Sequence, residues 1–434
     1  MNRYHPASDP DFMPKNMLQN VQWGKFEAIL RHTYDNVPWY QLRMKEKGLQ
    51  PSDIRSLDDI HKLPFVSKSD LRDTYPYGMF AVPLNEIVRF HASSGTTGKP
   101  VVVSYTKDDL DVWGEVIVRA LACYGVHEGD ILQNAYGYGL FTGGLGLHFA
   151  EQLGVTVVPI SGGNTERQVM IMQDFGVTAV SCTPSYFLHI MDKAEEMGIA
   201  IKELPIRVGI FGAEPWTVPM RKNIEAGTGI RAYDIYGLTE IIGPGVGAEC
   251  HCQNGLHIFE DHFYPEIVDK DTLEPLPDGR YGELVFTTLS KRAMPMIRFR
   301  TRDITKIFTE KCPCGRTIRR IERISHRSDD MFIIRGVNVF PGQIESALLA
   351  VEGTLPHYRI ILTREHDLDN VEVQVELRAE QFDDTIRSLE TFQRAIQKQI
   401  ENTVGIRVKA TLVQQGTIPR SEGKSQRVID RREL

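Results

Sequence analysis

No apolar run in this 434-residue chain approaches the roughly 20 residues that a membrane-spanning helix needs. The segment His5-Pro6-Ala7-Ser8-Asp9-Pro10 has neither the basic stretch nor the apolar core of a secretory leader, so a cytoplasmic protein is expected. A basic surplus is missing too. Fifty Lys and Arg against 57 Asp and Glu leave a formal net charge of −7, which argues against a dedicated nucleic-acid binder because phosphate recognition draws on positive charge. Internal repeats and low-complexity tracts are absent. Cysteine is scarce: of six, four form the pairs Cys250/Cys252 and Cys312/Cys314, and in a reducing compartment such pairs point to a metal before a disulfide. Cys123 and Cys182 stand in apolar surroundings and read as inert core residues.

What is present is an ordinary globular balance, 41% hydrophobic and 25% charged. The length exceeds one ordinary core, so at least two domains are expected. Residues 12–50 read as helical, with Leu18, Val21, Phe26, Leu30 and Tyr34 near helical spacing. Candidate strands at 130–136, 154–160, 177–182, 206–211 and 230–235 alternate with amphipathic helices, the pattern of a parallel sheet wrapped by helices. After 260, closely spaced strands and turns (Pro275, Pro277-Asp278-Gly279, Gly282) suggest a β-rich subdomain. Ser325-His326-Arg327-Ser328-Asp329-Asp330 is polar and aperiodic, as a linker is. Beyond it, helices at 341–352 and 384–402 and strands at 357–364, 370–378 and 406–413 describe a small α+β domain. The expected fold is thus α/β: a large multi-layer domain over 1–327 with mostly parallel sheets and a β-rich part, then a small α+β domain over 328–434.

The most informative segment is Ser93-Ser94-Gly95-Thr96-Thr97-Gly98-Lys99-Pro100, set between the apolar Ile87, Val88, Phe90 and Val101-Val102-Val103. Backbone amides and hydroxyls in such a loop can wrap a polyphosphate. It is not a Walker A loop, which requires Gly at its first position and Ser or Thr after the Lys. Read alone, it is equally a Ser/Thr/Gly turn with a solvated Lys99. Three further segments change that balance: Tyr236-Gly237-Leu238-Thr239-Glu240, Thr301-Arg302-Asp303, and Ile418-Pro419-Arg420-Ser421-Glu422-Gly423-Lys424. Singly, Glu240 is a helix-start carboxylate, Asp303 a turn residue and Lys424 a tail cation. Their joint occurrence in this order is not explained that way.

Together these segments closely resemble the adenylate-forming superfamily of acyl-CoA synthetases, luciferases and peptide-synthetase adenylation domains. Tyr138-Gly139-Leu140-Phe141-Thr142-Gly143-Gly144-Leu145-Gly146 and Ser161-Gly162-Gly163-Asn164-Thr165-Glu166 look, more narrowly, like the phenylacetate–coenzyme A ligases. One departure stands out, since the family's Thr-Gly-Asp is here Thr301-Arg302-Asp303. The resemblance implies ATP, Mg2+ and coenzyme A as reactants and cofactor. It assigns Ser93, Ser94, Gly95, Thr96, Thr97, Gly98 and Lys99 to the phosphates, and Glu240 to Mg2+, with Thr239 beside it. Asp303 and Arg327 fall to the ribose. Tyr236, Ala213, Glu214 and Pro215 fall to the adenine, with Asp234 and Gly237 in the same nucleotide-facing segment. Lys424 bridges carboxylate and α-phosphate during activation. The small domain then turns about Asp329, bringing Arg335-Gly336-Val337-Asn338 to the pantetheine, where Gly336 permits close approach.

Tyr136, Phe141, Gly212 and Ala213 are the expected walls of the acyl pocket, which an aryl acid suits. Among the cysteines, Cys312-Pro313-Cys314-Gly315 reads as half of a zinc knuckle, the other half coming from Cys250, His251, Cys252 or His257. The resemblance favours Cys250 with His257, because similar ligases keep Gly-Leu-His after the Cys, as Gly255-Leu256-His257 here; Cys252 is the alternative. The site is expected to be structural. The leading expectation is an ATP-dependent arylacetate–coenzyme A ligase acting on small molecules, without nucleic acid or membrane partners and with a homodimer left open. The competing readings are transfer of the acyl group to a carrier protein or amine, and a non-catalytic zinc-stabilised nucleotide-binding protein.

Overall fold

The computed structural model describes residues 5–93, 100–324, 326–328, 330–334, 337–365, 368–377, 386–420 and 427–432. The N-terminal helical region divides in two, Lys15–Asn36 and Pro38–Glu46. Pro38 has no amide hydrogen to continue a helix and pushes Val37 to an extended φ of −115°, so the first helix stops and the proline starts the second. The buried face of Lys15–Asn36 is Leu18, Gln22, Phe26, Ile29, Leu30 and Thr33. Val21 and Tyr34, expected on it, flank it instead. Gln22 is admitted because its side-chain amide donates to the Glu260 carbonyl at 3.0 Å.

The large domain is built on an eight-stranded sheet. Its parallel half runs Arg231–Leu238, Val208–Gly212, Ala179–Cys182, Ile131–Asn134 and Thr156–Val158. Ala179–Cys182 and Val208–Gly212 are buried along their whole length, as strands covered by helices on both faces must be. Three of the crossovers are the helices Thr165–Asp174, Pro184–Glu196 and Val218–Thr228, and the fourth carries the short helix Thr142–Leu147. Each of the first three starts from a side-chain cap, Asn164, Thr183 and Thr217 respectively. The sheet then continues antiparallel through Gly243–Glu249, Leu256–Ile258 and the two-residue edge strand Arg320–Ile321. A second, antiparallel sheet of Phe263–Val268, Gly282–Thr288, Phe299–Thr305 and His326–Arg327 forms the β-rich part.

From Phe332 onward a separate apolar cluster forms, including Ile344, Leu348, Ile360, Val373, Ile396 and Ile400. It lies between the helices Pro341–Leu349 and Ile386–Val404 and the sheet Lys409–Gln414, Leu368–Leu377, Tyr358–Glu365, Val428–Asp430. No helix among the described residues is long and apolar enough to cross a membrane.

Candidate functional site

The strand Arg89–Ser93 pairs antiparallel with Val101–Tyr105, and Ser93 opposite Val101 closes the base of the Ser/Thr/Gly loop. Ser94, Gly95, Thr96, Thr97, Gly98 and Lys99 lie outside the described residues, as do Asp329, Gly336 and Lys424. Ser93 itself is buried with a hydroxyl that has no partner among the described residues, a polar group suited to an incoming acceptor. Just before it, the Ala92 amide donates to the Leu140 carbonyl at 3.0 Å, so the Gly-rich segment 138–146 meets the strand that leads into the loop. That segment in turn meets the next motif, Thr142 Oγ1 lying 3.0 Å from Thr239 Oγ1.

Glu240 follows the strand Arg231–Leu238 in the tight connection to Gly243–Glu249. A Cβ at Gly237 would collide with the Gly243 carbonyl, so only glycine lets the two strands approach there. The Glu240 side chain is buried, with one oxygen 3.1 Å from the Lys68 ammonium. A second cation, Lys291, donates to the Glu240 main-chain carbonyl at 3.2 Å and lies over the Tyr105 ring. Burial pulls the Lys291 pKa down to about 8, against the opposing attraction of Asp109 and Glu240. A buried carboxylate of this kind has the hard oxygen donor that Mg2+ requires. Neither lysine is visible as a site residue in the sequence, although Ser67 and Asp70 form the capping box that orients Lys68 at the head of the helix Lys68–Asp73.

Between the two sheets, the Tyr236 hydroxyl donates to Asp303 Oδ2 at 2.6 Å. Burial raises the Tyr236 pKa well above its usual value, and the Asp303 charge adds to the rise, so the phenol keeps its proton as donor. Asp303 is the cross-strand partner of Arg327, whose Nε stands 4.0 Å from the carboxylate. The departure at Arg302 has a physical cost, because its φ is +68°, the left-handed region that glycine enters most readily. Glu283 offsets it. Its Oε1 accepts the Arg302 amide at 3.3 Å and its Oε2 lies 3.6 Å from the guanidinium.

Ala213 also has a positive φ, +68°, which turns the chain sharply after the strand Val208–Gly212. A Cβ at Gly212 would collide with the Ile235 carbonyl, so the turn is pressed against the neighbouring strand. Glu214 accepts the Ser185 amide at 2.8 Å, putting a carboxylate at the N-terminus of the helix Pro184–Glu196, where the free amides favour it. The Asp234 side chain is engaged by Arg323, with Nε donating to Oδ2 at 3.1 Å. Arg323, just before the linker, gave no sequence signal. Of the expected acyl-pocket residues, Tyr136 is buried against Gly143 and within electrostatic reach of Glu214 and Asp234. Phe141 is set apart, 53% exposed.

Cys250, His257, Cys312 and Cys314 converge with their ligand atoms all within 4.8 Å of one another. Cys250 Sγ lies 3.6 Å from Cys312 Sγ, and Cys314 Sγ 3.4 Å from His257 Nε2. Three thiols and an imidazole in such a group fit tetrahedral zinc. Cys252 lies in a different grouping, with Cys250 and His251. The Cys312-Pro313-Cys314 turn belongs to an arm that borders the sheet edge: Phe308 donates to the Arg320 carbonyl at 2.8 Å and Glu322 to the Lys306 carbonyl at 3.0 Å.

Residues 58–290 match the AMP-binding enzyme family, and residues 336–432 the AMP-binding enzyme C-terminal domain. The phenylacetate-coenzyme A ligase of Pseudomonas putida is 50% identical, over 100% of this chain and 99% of its own length. That of Thermus thermophilus is 49% identical over 97% and 98%. Among solved structures, 2-hydroxyisobutyryl-CoA ligase in its postadenylation state with 2-HIB-AMP superposes with a TM-score of 0.93 at 28% identity, covering 99% of this chain and 94% of that one. The same ligase with 2-HIB-AMP and CoA in the thioesterification state gives 0.72 at 29% identity, covering 100% and 95%. The two domains of the present chain are therefore arranged as in the former.

Proposed function

The chain belongs to the AMP-binding enzymes and, within them, to the phenylacetate–coenzyme A ligases, and on that premise we propose that it joins phenylacetate, or a close aryl acid, to coenzyme A through an acyl-adenylate. The observation that carries the reading is the convergence of motifs distant in sequence: Ser93 beside Leu140, Thr142 on Thr239, and Tyr236 on Asp303.

A carboxylate is a poor acyl donor because its leaving group would be oxide. In the first half-reaction a carboxylate oxygen attacks the α-phosphorus of ATP, forming the acyl–phosphate bond as pyrophosphate leaves. The acid is already ionised at neutral pH, so no general base is needed. The work left to the protein is alignment and charge stabilisation. We infer that Ser93 and the following loop hold the phosphates. Tyr236 fixes Asp303 toward the ribose hydroxyls, with Arg327 beside it. Ala213, Glu214 and Pro215 wall the adenine. Glu240, with Thr239 alongside, would hold Mg2+, which neutralises phosphate charge. Lys424 supplies a cation between two anionic reactants. In the second half-reaction the coenzyme A sulfur attacks the acyl carbonyl, forming the thioester as the bond to AMP breaks. A division at 327/328 with Asp329 as hinge gives the small domain the freedom to withdraw Lys424 between the halves. Cys250, His257, Cys312 and Cys314 hold a structural zinc in this reading, because four protein ligands close the tetrahedron and leave no open position for a substrate.

The test is pyrophosphate release with a panel of carboxylic acids, with and without coenzyme A. Phenylacetate and close aryl acids are expected to outpace acetate and long-chain acids, with thioester formed only when coenzyme A is present. Preference for an aliphatic acid of about eight carbons or more would overturn the aryl assignment, which rests on the likeness to the phenylacetate-coenzyme A ligases.

A further inference from the structure

The segment that ends in Lys424 begins at a buried clamp. Glu376, in the strand Leu368–Leu377, is fully buried. Its two oxygens accept both terminal nitrogens of Arg420, Nη1 at 2.9 Å and Nη2 at 2.7 Å. The Ile418 amide donates to the same carboxylate at 2.7 Å. Burial alone would raise the Glu376 pKa, but Arg420 and the amides of Ile418 and Gly416 outweigh it and hold it below the usual value. A fork-on-carboxylate pair fixes orientation as well as position. Its contribution to stability is modest, since a buried ion pair gives little that apolar packing would not.

The same arginine faces the large domain. Asp192, on the helix Pro184–Glu196, places Oδ2 2.9 Å from His357 Nε2 and 3.9 Å from Arg420 Nη2. A second tie runs nearby: Thr217 Oγ1 donates to Glu345 Oε1 at 2.9 Å, and Glu345 is itself held by the Tyr358 hydroxyl and by Arg427. Asp192 and Thr217 belong to the large domain, the others to the small one, in the arrangement that matches a postadenylation state. Arg420 precedes Lys424 by four residues, a reach of at most about 14 Å of extended chain.

We propose that Glu376, Arg420 and Asp192 are positioning residues for the adenylation half-reaction. Glu376 orients Arg420 at the root of the Lys424 segment, and Asp192 docks that root on the large domain only in the present arrangement. When the small domain turns, the Asp192 contacts part while the Glu376–Arg420 clamp travels with the segment. The inference rests on the reading of Lys424 given above.

The experiment uses the full chain and measures two rates: single-turnover pyrophosphate release without coenzyme A, and thioester formation from supplied phenylacetyl-adenylate. Glu376→Gln and Asp192→Asn are expected to slow the first by about 10-fold or more, as a misplacement of about 1 Å does, and to leave the second within about threefold. Folded variants that retain both rates, or lose both equally, would overturn the proposal. Should Glu376→Gln not fold, Asp192→Asn, on a partly exposed side chain, decides alone. Lys424→Ala separates this inference from its premise. If it leaves pyrophosphate release intact, the reading of Lys424 fails; if it abolishes release while the other two variants keep it, the positioning inference alone fails.

Discussion

Lys291 carries a charge that its surroundings resist. With its pKa pulled down to about 8 by burial from an ordinary 10.5, the folded chain binds fewer protons than the unfolded chain between those values. Stability contributed by this group therefore rises with pH across that window, and at pH 7 the fold bears the full cost of the buried ammonium. Lys291→Met is expected to raise the urea midpoint near pH 7, with an advantage that shrinks as pH passes from about 8 to about 10. A lower midpoint at neutral pH would count against this account. The residue scale is also where the sequence is least legible. Tyr236, Asp303 and Glu240 stand in recognisable strings, whereas Lys68 and Arg323 owe their positions to contacts across 172 and 89 residues, a separation on which no local pattern bears. Phe141 shows the converse. Gly-flanked aromatics suggested a wall, yet the first residue before a short helix faces outward, and this one is half exposed.

Among elements, the parallel strands were readable because each is a short apolar run, and three of the four connections between them carry a capped amphipathic helix. The antiparallel continuation was not, since Gly243–Glu249 and Leu256–Ile258 take their places from partners rather than from period. The N-terminal segment Pro6–Phe12 is another such case. Its Asp11 accepts Arg119 Nε at 3.1 Å and Nη2 at 2.7 Å, and Asp261 takes the other edge of the guanidinium at 2.8 and 2.9 Å. Arg119, inside the helix Lys107–Tyr124, is fully buried and lies over the Phe259 ring. Three elements therefore share one cation, and Arg316 extends the link from Asp11 toward the cysteine arm. Arg119→Met leaves two buried carboxylates without their main partner and is expected to cost about 3–5 kcal/mol, measured by urea unfolding. A loss below about 1 kcal/mol would mean the carboxylates find other compensation.

For the whole molecule, the polar stretch at 325–330 announced two bodies, and the separate apolar cluster beginning at Phe332 accords with it. How the bodies meet was not legible, because Asp192, His357, Thr217 and Glu345 are ordinary polar residues until the fold opposes them. The cysteine cluster also acts at this scale. Arg320–Ile321 is the last strand of the eight-stranded sheet, and the arm that carries Cys312 and Cys314 runs along its outer side. If the arm loosens, the short strand Arg320–Ile321 becomes a bare sheet edge, open to pairing with the same edge of another molecule. With zinc held as proposed, stripping it with a chelator is then expected to show first as rising light scattering, before the far-ultraviolet signal of the helices changes. A chelated protein that unfolds without scattering would argue otherwise. Three sulfurs and one imidazole nitrogen would in that case decide how concentrated this protein can become in a cell before its copies begin to clump.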